Sequence, residues 1–171
     1  MRLSTFIVAA VLGLVEGTLA ATINVGSGDS IQAAIDSAAP GDEIMVAPGT
    51  YYEAIDFVGK AITLRSSAGP ELTVIDASGL ETSVVSCQSS EGPDTVLDGF
   101  TVTGGEGTVF AGDRSGGGMY NYLASPTVRN CIFTQNTADS GGGMWSISRS
   151  TRTIPASAAR GSEAKTSTIR P

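Results

Sequence analysis

Short runs of apolar, β-branched residues recur along most of the chain, and Gly, Pro, Asp and Ser separate them. Such runs, bounded by turn-forming residues, predict strands of roughly four to eight residues. The predicted strands are Glu43–Val46, Ala54–Val58, Ala61–Arg65, Leu72–Ile75, Ser83–Cys87, Thr95–Val102 and Thr127–Phe133. Many gaps are too short for a crossover helix, and the Asn-Gly signal of a tight hairpin is absent. The pattern favours strands joined by bends, as in a solenoid, with a β-sandwich that has incidental glycine runs as the alternative.

One stretch has the period of a helix instead. Its apolar positions, spaced i, i+3, i+4, i+7, are Ile31, Ala34, Ile35 and Ala38. With Asp29 or Ser30 as the N-cap and Pro40-Gly41 as the stop, the spacing predicts a helix at about residues 30–38. The first strand of a parallel stack has an open edge that invites pairing with other chains. A helix just before that strand is well placed to cap it.

An internal repeat supports the solenoid. The sequence SGGGMY at residues 115–120 recurs as SGGGMW at residues 140–145, a spacing of 25 that is typical of repeat architectures. We expect Met119 and Met144 to stack inside the protein. A second, weaker repeat, which we call the second echo, aligns Thr95–Phe100 with Thr127–Ile132 at a spacing of 32. Together they predict coils of about 22–25 residues, stacked at the spacing of paired strands, with an insertion at Gly104–Arg114.

Composition and charge narrow the class of function. The 171 residues suit one domain, and 22 glycines against one tryptophan suit a turn-rich β protein. The chain has no histidine, which removes much of catalytic and metal chemistry. Residues 21–145 carry fifteen acidic and four basic side chains, a net charge of −11. This acidic body argues against nucleic acid as a partner, because phosphate binding needs clustered Lys and Arg.

The first twenty residues have the pattern of a secretory signal peptide. Arg2 precedes the apolar run Phe6–Val15, and small residues precede a cleavage point before Ala21. The apolar run is shorter than the roughly 20 residues that a membrane-spanning helix needs. We therefore expect a protein that is secreted or held at the cell surface or outer membrane, without a membrane span after cleavage. An uncleaved anchor or a buried helix is the alternative.

The segment from Asp29 to Gly79 resembles the N-terminal coils of the pectate lyase-like superfamily. The matching motifs are IQAAID for the cap helix, PGDEIMVAPGTYYE for the first coil, and ITLRSSAG with TVIDASG for the second. The later segment looks like the Gly-rich repeats of bacterial surface proteins of the polymorphic outer membrane protein type, and its matching motifs are TVLDGFTVTGG and SGGGMYNYLASPTVRNCIFTQNTADSGGGMW, which ends at Trp145. The resemblance implies an all-β fold, a right-handed parallel β-helix (solenoid) with an N-terminal capping α-helix, over residues 21–145. It implies much less about activity, since one fold hosts many functions.

Two pairs of residues are candidate ligand-binding positions. Asp98 and Asn130 occupy matching places in the second echo and could form an oxygen-bearing ladder, with structural stacking at a turn as the alternative. Tyr120 and Trp145 match in the SGGGM repeat and could stack on sugar rings, with core or surface packing as the alternative. Lyases of the superfamily hold Ca²⁺ through several Asp carboxylates. Neither arginine of the Gly-rich coils lies in an Asp cluster, so we predict no metal site, with Ca²⁺ as the one candidate ion.

No catalytic constellation is recognisable, and the catalytic residues stay unknown. Polygalacturonase-type hydrolases need paired acids and usually a histidine. Glu53 and Asp56 share one strand segment at a spacing of i, i+3, which predicts opposite faces. Cys87 and Cys131 fall in different walls of the solenoid, so we expect two small buried hydrophobes instead of a disulfide.

Two hypotheses of function follow. The first is a secreted or cell-surface β-helix module, without catalysis of its own, that contacts glycans or mediates adhesion, with extracellular polysaccharide or a cell surface as its partner. The alternative is the N-terminal fragment of a polysaccharide-active enzyme whose active site is missing. Such an enzyme would be pectate lyase-like or pectin esterase-like and would act on acidic glycans. We favour the first, and enzymatic activity of this chain stays open.

After Trp145 the strand pattern ends. Residues 146–171 carry five basic side chains and one acidic, a net charge of +4, and show no strand alternation. We interpret them as an irregular basic tail. Either the tail is a genuine disordered segment or, as we favour, the reading frame is truncated or frame-shifted and its full version continues with further coils.

Translation of the adjoining DNA in the other two frames tests the second interpretation. Further Gly-Gly-Gly-Met repeats are expected downstream, because a solenoid is stabilised by stacking each coil on the next. Their absence would contradict the truncation.

Overall fold

The computed structural model of the protein describes residues 19–147. All but the last two residues of the predicted signal peptide, and all but the first two of the predicted tail, lie outside this range. The described part contains one helix, α1 (Ile31–Ser37), and fifteen short strands. The strands are β1 (Thr22–Val25), β2 (Glu43–Val46), β3 (Gly49–Tyr51), β4 (Ile55–Asp56), β5 (Thr63–Ser66), β6 (Thr73–Asp76), β7 (Val85–Cys87), β8 (Val96–Asp98), β9 (Thr101–Thr103), β10 (Thr108–Phe110), β11 (Asp113–Ser115), β12 (Met119–Tyr122), β13 (Thr127–Arg129), β14 (Ile132–Thr134) and β15 (Met144–Ile147).

Three parallel sheets account for all of these strands except β10 and β11. The first sheet has the order β1-β2-β5-β8-β13, the second β3-β6-β9-β14 and the third β4-β7-β12-β15. From β2 onward the chain passes the first, second and third sheets in that order four times, and we call each passage a circuit. Each strand of these three sheets pairs in parallel with the strand of the same sheet in the neighbouring circuit, and β1 pairs in parallel with β2. This β-dominated stack of parallel strands is consistent with a β-helix-like solenoid.

The corners between sheets divide two of the predicted strands. Glu43–Val46 is confirmed residue for residue as β2. The run predicted at Thr95–Val102 is divided into β8 and β9, and the run at Thr127–Phe133 into β13 and β14. The divisions fall at Gly99 and Asn130, whose φ angles are 84° and 53°. A left-handed residue bends the chain from the first sheet to the second, which an uninterrupted strand cannot do.

The Gly-rich repeat stacks as predicted. In the pairing of β12 with β15, Met119 lies beside Met144 and Tyr120 beside Trp145. Met119 is fully buried and Met144 is half-buried. The N–H of Gly118 donates to the carbonyl oxygen of Gly142 at 2.9 Å, so the glycine segments are themselves part of the backbone ladder between circuits.

The second predicted echo is wrong by one residue. A spacing of 32 would set Asp98 beside Asn130, whereas β8 and β13 pair Leu97 with Val128 and Asp98 with Arg129, a spacing of 31. The core decides the register, because Leu97 and Val128 are both buried. A shift of one residue would turn one of the two side chains outward.

The number of residues per circuit varies more than the predicted 22–25. Paired residues are 20 positions apart from Glu43 to Thr63 and 34 apart from Val85 to Met119. Connections between the sheets therefore differ in length from circuit to circuit, while the pairing of strands is kept. Since loops tolerate insertion at small entropic cost, the ladder constrains the strands and leaves the connections free.

The predicted insertion at Gly104–Arg114 contains an antiparallel hairpin, β10 with β11, in which Val109 pairs with Arg114. The expectation that no strand folds back is therefore wrong at this point. Ala111 and Gly112 form the turn with φ angles of 53° and 98°. A left-handed Ala-Gly pair supplies the geometry for which Asn-Gly is the usual signal.

Apolar side chains from all three sheets and from α1 form a single core. Its largest fully buried members are Phe57, Phe100, Ile31, Ile35, Ile44, Ile55, Ile62, Leu64, Ile75, Leu97, Met119 and Val46. Burial of one such side chain contributes roughly 1.5–3 kcal/mol, so the inward positions stabilise the stack. Less buried residues alternate with them on several strands: on β2, Ile44 and Val46 are buried, whereas Glu43 and Met45 are half-buried.

Helix α1 lies at the first end of the stack. The Oγ of Ser30 accepts a hydrogen bond from the N–H of Ala33 at 3.1 Å, which makes Ser30 the N-cap. The helix packs on β1, β2 and β4 through Ile31, Ala34 and Ile35, which are buried. The predicted range 30–38 corresponds to α1 with its two cap residues, and the helix covers the first circuit.

Gly105 allows two segments of the third circuit, both between β9 and β12, to approach closely. A Cβ at this position would overlap the carbonyl oxygen of Gly117, and the N–H of Gly105 donates to Oδ1 of Asn136 at 2.9 Å. We predict that Gly105→Ala lowers the free energy of unfolding by about 3 kcal/mol, because overpacked backbone must move apart. Urea denaturation followed by circular dichroism measures the change. Gly92→Ala is the matched control, since a Cβ there meets no atom within 4 Å; equal losses in the two variants would contradict the prediction.

Candidate functional site

Asp98 is held inside a charged column on the outer face of the first sheet. The strand register places it between Arg65 and Arg129. Its Oδ2 lies 3.0 Å from Nε of Arg129, and its Oδ1 accepts a hydrogen bond from Nδ2 of Asn130 at 2.8 Å. Alternating charges on neighbouring strands stabilise a sheet by about 0.2–1 kcal/mol a pair. The structure thus brings Asp98 and Asn130 together, and both carboxylate oxygens have partners within the chain.

Tyr120 and Trp145 belong to a cluster of four aromatic side chains on the outer face of the third sheet. Their rings are stacked, with centroids 5.0 Å apart and planes 7° apart. Phe110 of the hairpin lies 5.2 Å from Trp145 and 5.5 Å from Tyr122, in tilted contacts. We call Phe110, Tyr120, Tyr122 and Trp145 the aromatic cluster. Offset and tilted rings contribute roughly 0.5–1.5 kcal/mol a pair beyond their burial.

The hairpin covers most of this cluster. Tyr120 is 3% exposed and Trp145 is 6% exposed, whereas Phe110 and Tyr122 are half-buried. Burial raises the pKa of the Tyr120 hydroxyl, which therefore stays protonated at neutral pH. Tyr122 thus presents the more accessible ring beside a rigid stacked pair.

Arg114 fixes the hairpin to the body of the stack. Its Nη1 donates to the carbonyl oxygen of Glu81 at 2.8 Å, and its backbone N–H donates to Oδ2 of Asp139 at 2.8 Å. The hydroxyls of Ser83 and Thr108 lie 2.8 Å apart. The hairpin is therefore joined to the preceding and following circuits through both of its strands.

A shallow depression lies near α1 at the first end of the stack. It has a volume of about 360 Å³ and is lined by Gly28, Asp29, Ser30, Thr50, Tyr51, Tyr52 and Glu53. Tyr52 is 78% exposed beside it. The carboxylate of Glu53 accepts hydrogen bonds from Oγ of Ser30 at 2.8 Å and from the N–H groups of Ile31 at 2.7 Å and Gln32 at 3.1 Å. Glu53 therefore caps the helix.

Other acidic side chains hold turns in the same way. Glu91 is buried and accepts hydrogen bonds from the N–H groups of Gly59 at 2.8 Å and Ser89 at 2.9 Å, which ties two circuits together. Asp42 accepts from the N–H groups of Ala21 and Ala39, and these two bonds lower the pKa of its carboxyl group. Charge-assisted bonds of this kind are about twice as strong as neutral ones.

Glu53 and Asp56 likewise have separate partners. Oδ1 of Asp56 accepts from the N–H of Val58 at 2.8 Å, and its Oδ2 accepts from Nε2 of Gln88 at 3.0 Å. Gln32 of α1 bonds the backbone of Asp56 while its own N–H donates to Glu53. The carboxylate of Asp56 thus stabilises a turn, and that of Glu53 stabilises the start of α1.

The two cysteines are free thiols. Desolvation raises the pKa of Cys87 well above its usual range and that of Cys131 to about 11, so thiolate at neutral pH is scarce. Cys87 stacks below Asn121 in the third sheet, and Ser146 stacks above it. Asn121 is fully buried, and within residues 19–147 neither its side-chain amide nor Oγ of Ser146 has a hydrogen-bond partner. Sequence reasoning missed this inner polar column because one buried Asn leaves no signal in the pattern.

Two further properties hold within the described range. Among residues 19–147, no group of three or more His, Cys, Asp or Glu side chains is arranged to hold a metal ion. No helix in the same range is long and apolar enough to cross a membrane.

Fold and surface together define a β-dominated protein of stacked parallel strands with one short helix in its described part. Comparisons with protein-family models, with curated proteins and with solved structures found no match to this chain. The resemblance to the pectate lyase-like superfamily therefore stays a prediction.

The cover over the aromatic cluster can be tested through Trp145, which is the one tryptophan of the chain. We predict that Phe110→Ala shifts the emission of Trp145 to longer wavelength and increases its quenching by acrylamide, because removal of the Phe110 ring admits water. Val109→Ala is the control, since Val109 lies on the same strand and is 65% exposed. Unchanged Trp145 emission in Phe110→Ala would show that the hairpin does not shield the ring.

Proposed function

We propose that the chain is an exported right-handed parallel β-helix that serves as a secreted or cell-surface module, in contact with glycans or with another cell surface. In this proposal the chain carries out no catalysis of its own. Its partner is an extracellular polysaccharide or the polysaccharide coat of a cell.

The order of the strands supports the solenoid. Four passages through the first, second and third sheets, always in that order and always in parallel, place each circuit on the one before. Helix α1 covers the first circuit, which is the position that a capping element of a solenoid occupies.

The engagement of the acidic side chains is the observation that carries the non-catalytic assignment. Glu53, Glu91 and Asp98, which lie in three different circuits, each bind two or more donors of the chain. A two-carboxylate glycosidase needs one carboxyl free to donate a proton and a second free to attack or to activate water. The carboxylates of Glu53, Glu91 and Asp98 are instead bonded to donors of the chain at turns, a corner and a helix end.

The aromatic cluster is the proposed contact surface. Amphipathic aromatic rings offer a large, rigid contact area at low entropic cost. The stacked pair of Tyr120 and Trp145 forms a support, and Tyr122 is the half-buried ring beside it. A sugar ring would contact Tyr122, whose half-buried ring lies beside the covered pair of Tyr120 and Trp145.

Binding of the purified protein to immobilised polysaccharides, polygalacturonate among them, tests this surface. We predict that Tyr122→Ala weakens binding about threefold to tenfold, the loss of one aromatic contact. Tyr52→Ala, the matched control at the other end of the stack, leaves binding unchanged. Loss with Tyr52→Ala alone would assign the contact to the depression beside α1, and no binding to any glycan would overturn the proposal.

The enzymatic alternative is tested with the same samples. Incubation with polygalacturonate and Ca²⁺, followed by ultraviolet absorbance of unsaturated products, detects lyase activity, and release of methanol from esterified pectin detects an esterase. Either product would overturn the non-catalytic assignment.

A further inference from the structure

Three polar side chains lie beside the aromatic cluster on the outer face of the third sheet. The pairing of β12 with β7 sets Tyr120 beside Ser86, and the pairing of β7 with β4 sets Ser86 beside Asp56. Gln88 comes two residues after Ser86 and directly after Cys87, whose side chain is buried in the core. Since successive side chains of a strand alternate, Gln88 lies on the outer face with Ser86. We call Asp56, Ser86 and Gln88 the polar patch.

The polar patch is continuous with the aromatic cluster. The register that pairs Asn121 with Cys87 places Tyr122 and Gln88 at the following position. Nε2 of Gln88 donates to Oδ2 of Asp56 at 3.0 Å, so the patch reaches β4. Strands β12, β7 and β4 are neighbours in the third sheet. At about 4.8 Å between neighbours, β12 and β4 are about 10 Å apart, which is room for more than one sugar ring.

Hydrogen bonds within the chain hold the polar patch in place. Oδ1 of Asp56 accepts from the N–H of Val58 at 2.8 Å, while Oδ2 accepts from Gln88. The side chain of Gln32, on α1, bonds the N–H of Asp56 at 2.7 Å and its carbonyl oxygen at 3.1 Å. Ser86 is 9% exposed, so the surrounding atoms limit the movement of its side chain. Groups that are fixed before a ligand arrives lose less conformational entropy on binding.

The chemistry of the polar patch favours ligands that donate hydrogen bonds. A carboxylate only accepts hydrogen bonds, so Asp56 holds the nitrogen of the Gln88 amide and leaves Oε1 as an acceptor. The hydroxyl of Ser86 both donates and accepts. The hydroxyl groups of a sugar can donate to these oxygens. The carboxylate of a uronic acid cannot, because it has no proton to donate.

Charge acts in the same direction. Residues 19–147 carry fifteen acidic and four basic side chains, and the carboxylate of Asp56 belongs to the patch itself. Lys60, four residues after Asp56, donates its Nζ to the carbonyl oxygens of Ile35 at 2.8 Å and Asp36 at 2.7 Å. An acidic polymer would bring further negative charge to this surface, and like charges repel. A neutral sugar meets no such repulsion.

We propose that the polar patch extends the contact surface beyond Tyr122 and makes it selective for neutral glycans. Gln88 and Ser86 accept hydrogen bonds from sugar hydroxyls, and Asp56 positions the amide of Gln88. One ring of the glycan contacts Tyr122, and the next lies over Gln88. This selectivity rests on the proposed glycan contact and adds the class of sugar to it.

A matched pair of polymers tests the selectivity. One is polygalacturonate, and the other is the neutral galactan made from it by reduction of the carboxyl groups, which keeps linkage and ring configuration. A neutral glucan and a neutral mannan are measured beside them, with a chelator present so that Ca²⁺ bridges no carboxylates. We expect the tightest binding to a neutral polymer, at least about tenfold tighter than to polygalacturonate.

Three variants test the residues. Gln88→Ala should weaken binding of the neutral polymer about threefold to tenfold, the loss of one hydrogen bond. Gln135→Ala is the matched control and should leave binding unchanged, since Gln135 is exposed and follows β14 in the second sheet. Asp56→Asn keeps the shape and removes the charge, so it should raise binding of polygalacturonate about threefold and narrow the preference.

The outcomes separate this selectivity from the glycan contact on which it rests. Weaker binding in Tyr122→Ala with unchanged binding in Gln88→Ala would overturn the role of the polar patch and leave the aromatic contact in place. Polygalacturonate bound as tightly as the best neutral polymer would overturn the selectivity alone, as would an unchanged preference in Asp56→Asn. No binding to any of the four polymers would overturn the proposed function and the selectivity with it.

Discussion

The structure depends on the backbone ladder that joins each circuit to the next. Parallel pairing sets strands roughly 4.8 Å apart and places each residue beside the corresponding residue of the neighbouring circuit. Like side chains then stack on like, as Met119 on Met144 and Tyr120 on Trp145. The constraint acts only on the strands, so the connections can vary enough to include the hairpin of β10 and β11.

The second consequence concerns the polar side chains. Corners and connections leave backbone N–H groups without partners in the ladder, and acidic residues supply the acceptors. Glu53 holds the start of α1, Glu91 joins two circuits, and Asp42 fixes the approach to the first sheet. The acidic charge of the body therefore has a structural origin in large part. For this reason the proposed contact surface is the aromatic cluster and not a set of carboxylates.

The sequence predicted the parts of the fold that have a period. Alternation located β2 and most other strands, helical spacing located α1, and the SGGGM repeat gave the correct register of β12 on β15. Prediction from the sequence was wrong in segments without a repeating pattern of residues. The echo of 32 was wrong because matching letters at Thr95 and Thr127 do not reveal which residues face inward. The hairpin was missed because Ala111-Gly112 is not a usual hairpin signal.

For the candidate sites, the sequence by itself determined which residue types recur: an acidic residue and an amide near one corner, and two aromatic residues in the Gly-rich repeat. Only the tertiary structure decided what they touch. Asp98 meets Arg129 and Asn130 because the inward positions of Leu97 and Val128 set the register. Trp145 is covered because an insertion far from it in the chain places Phe110 over its ring. Contacts between circuits depend on register and on loop placement, and neither quantity is encoded in a local stretch of residues.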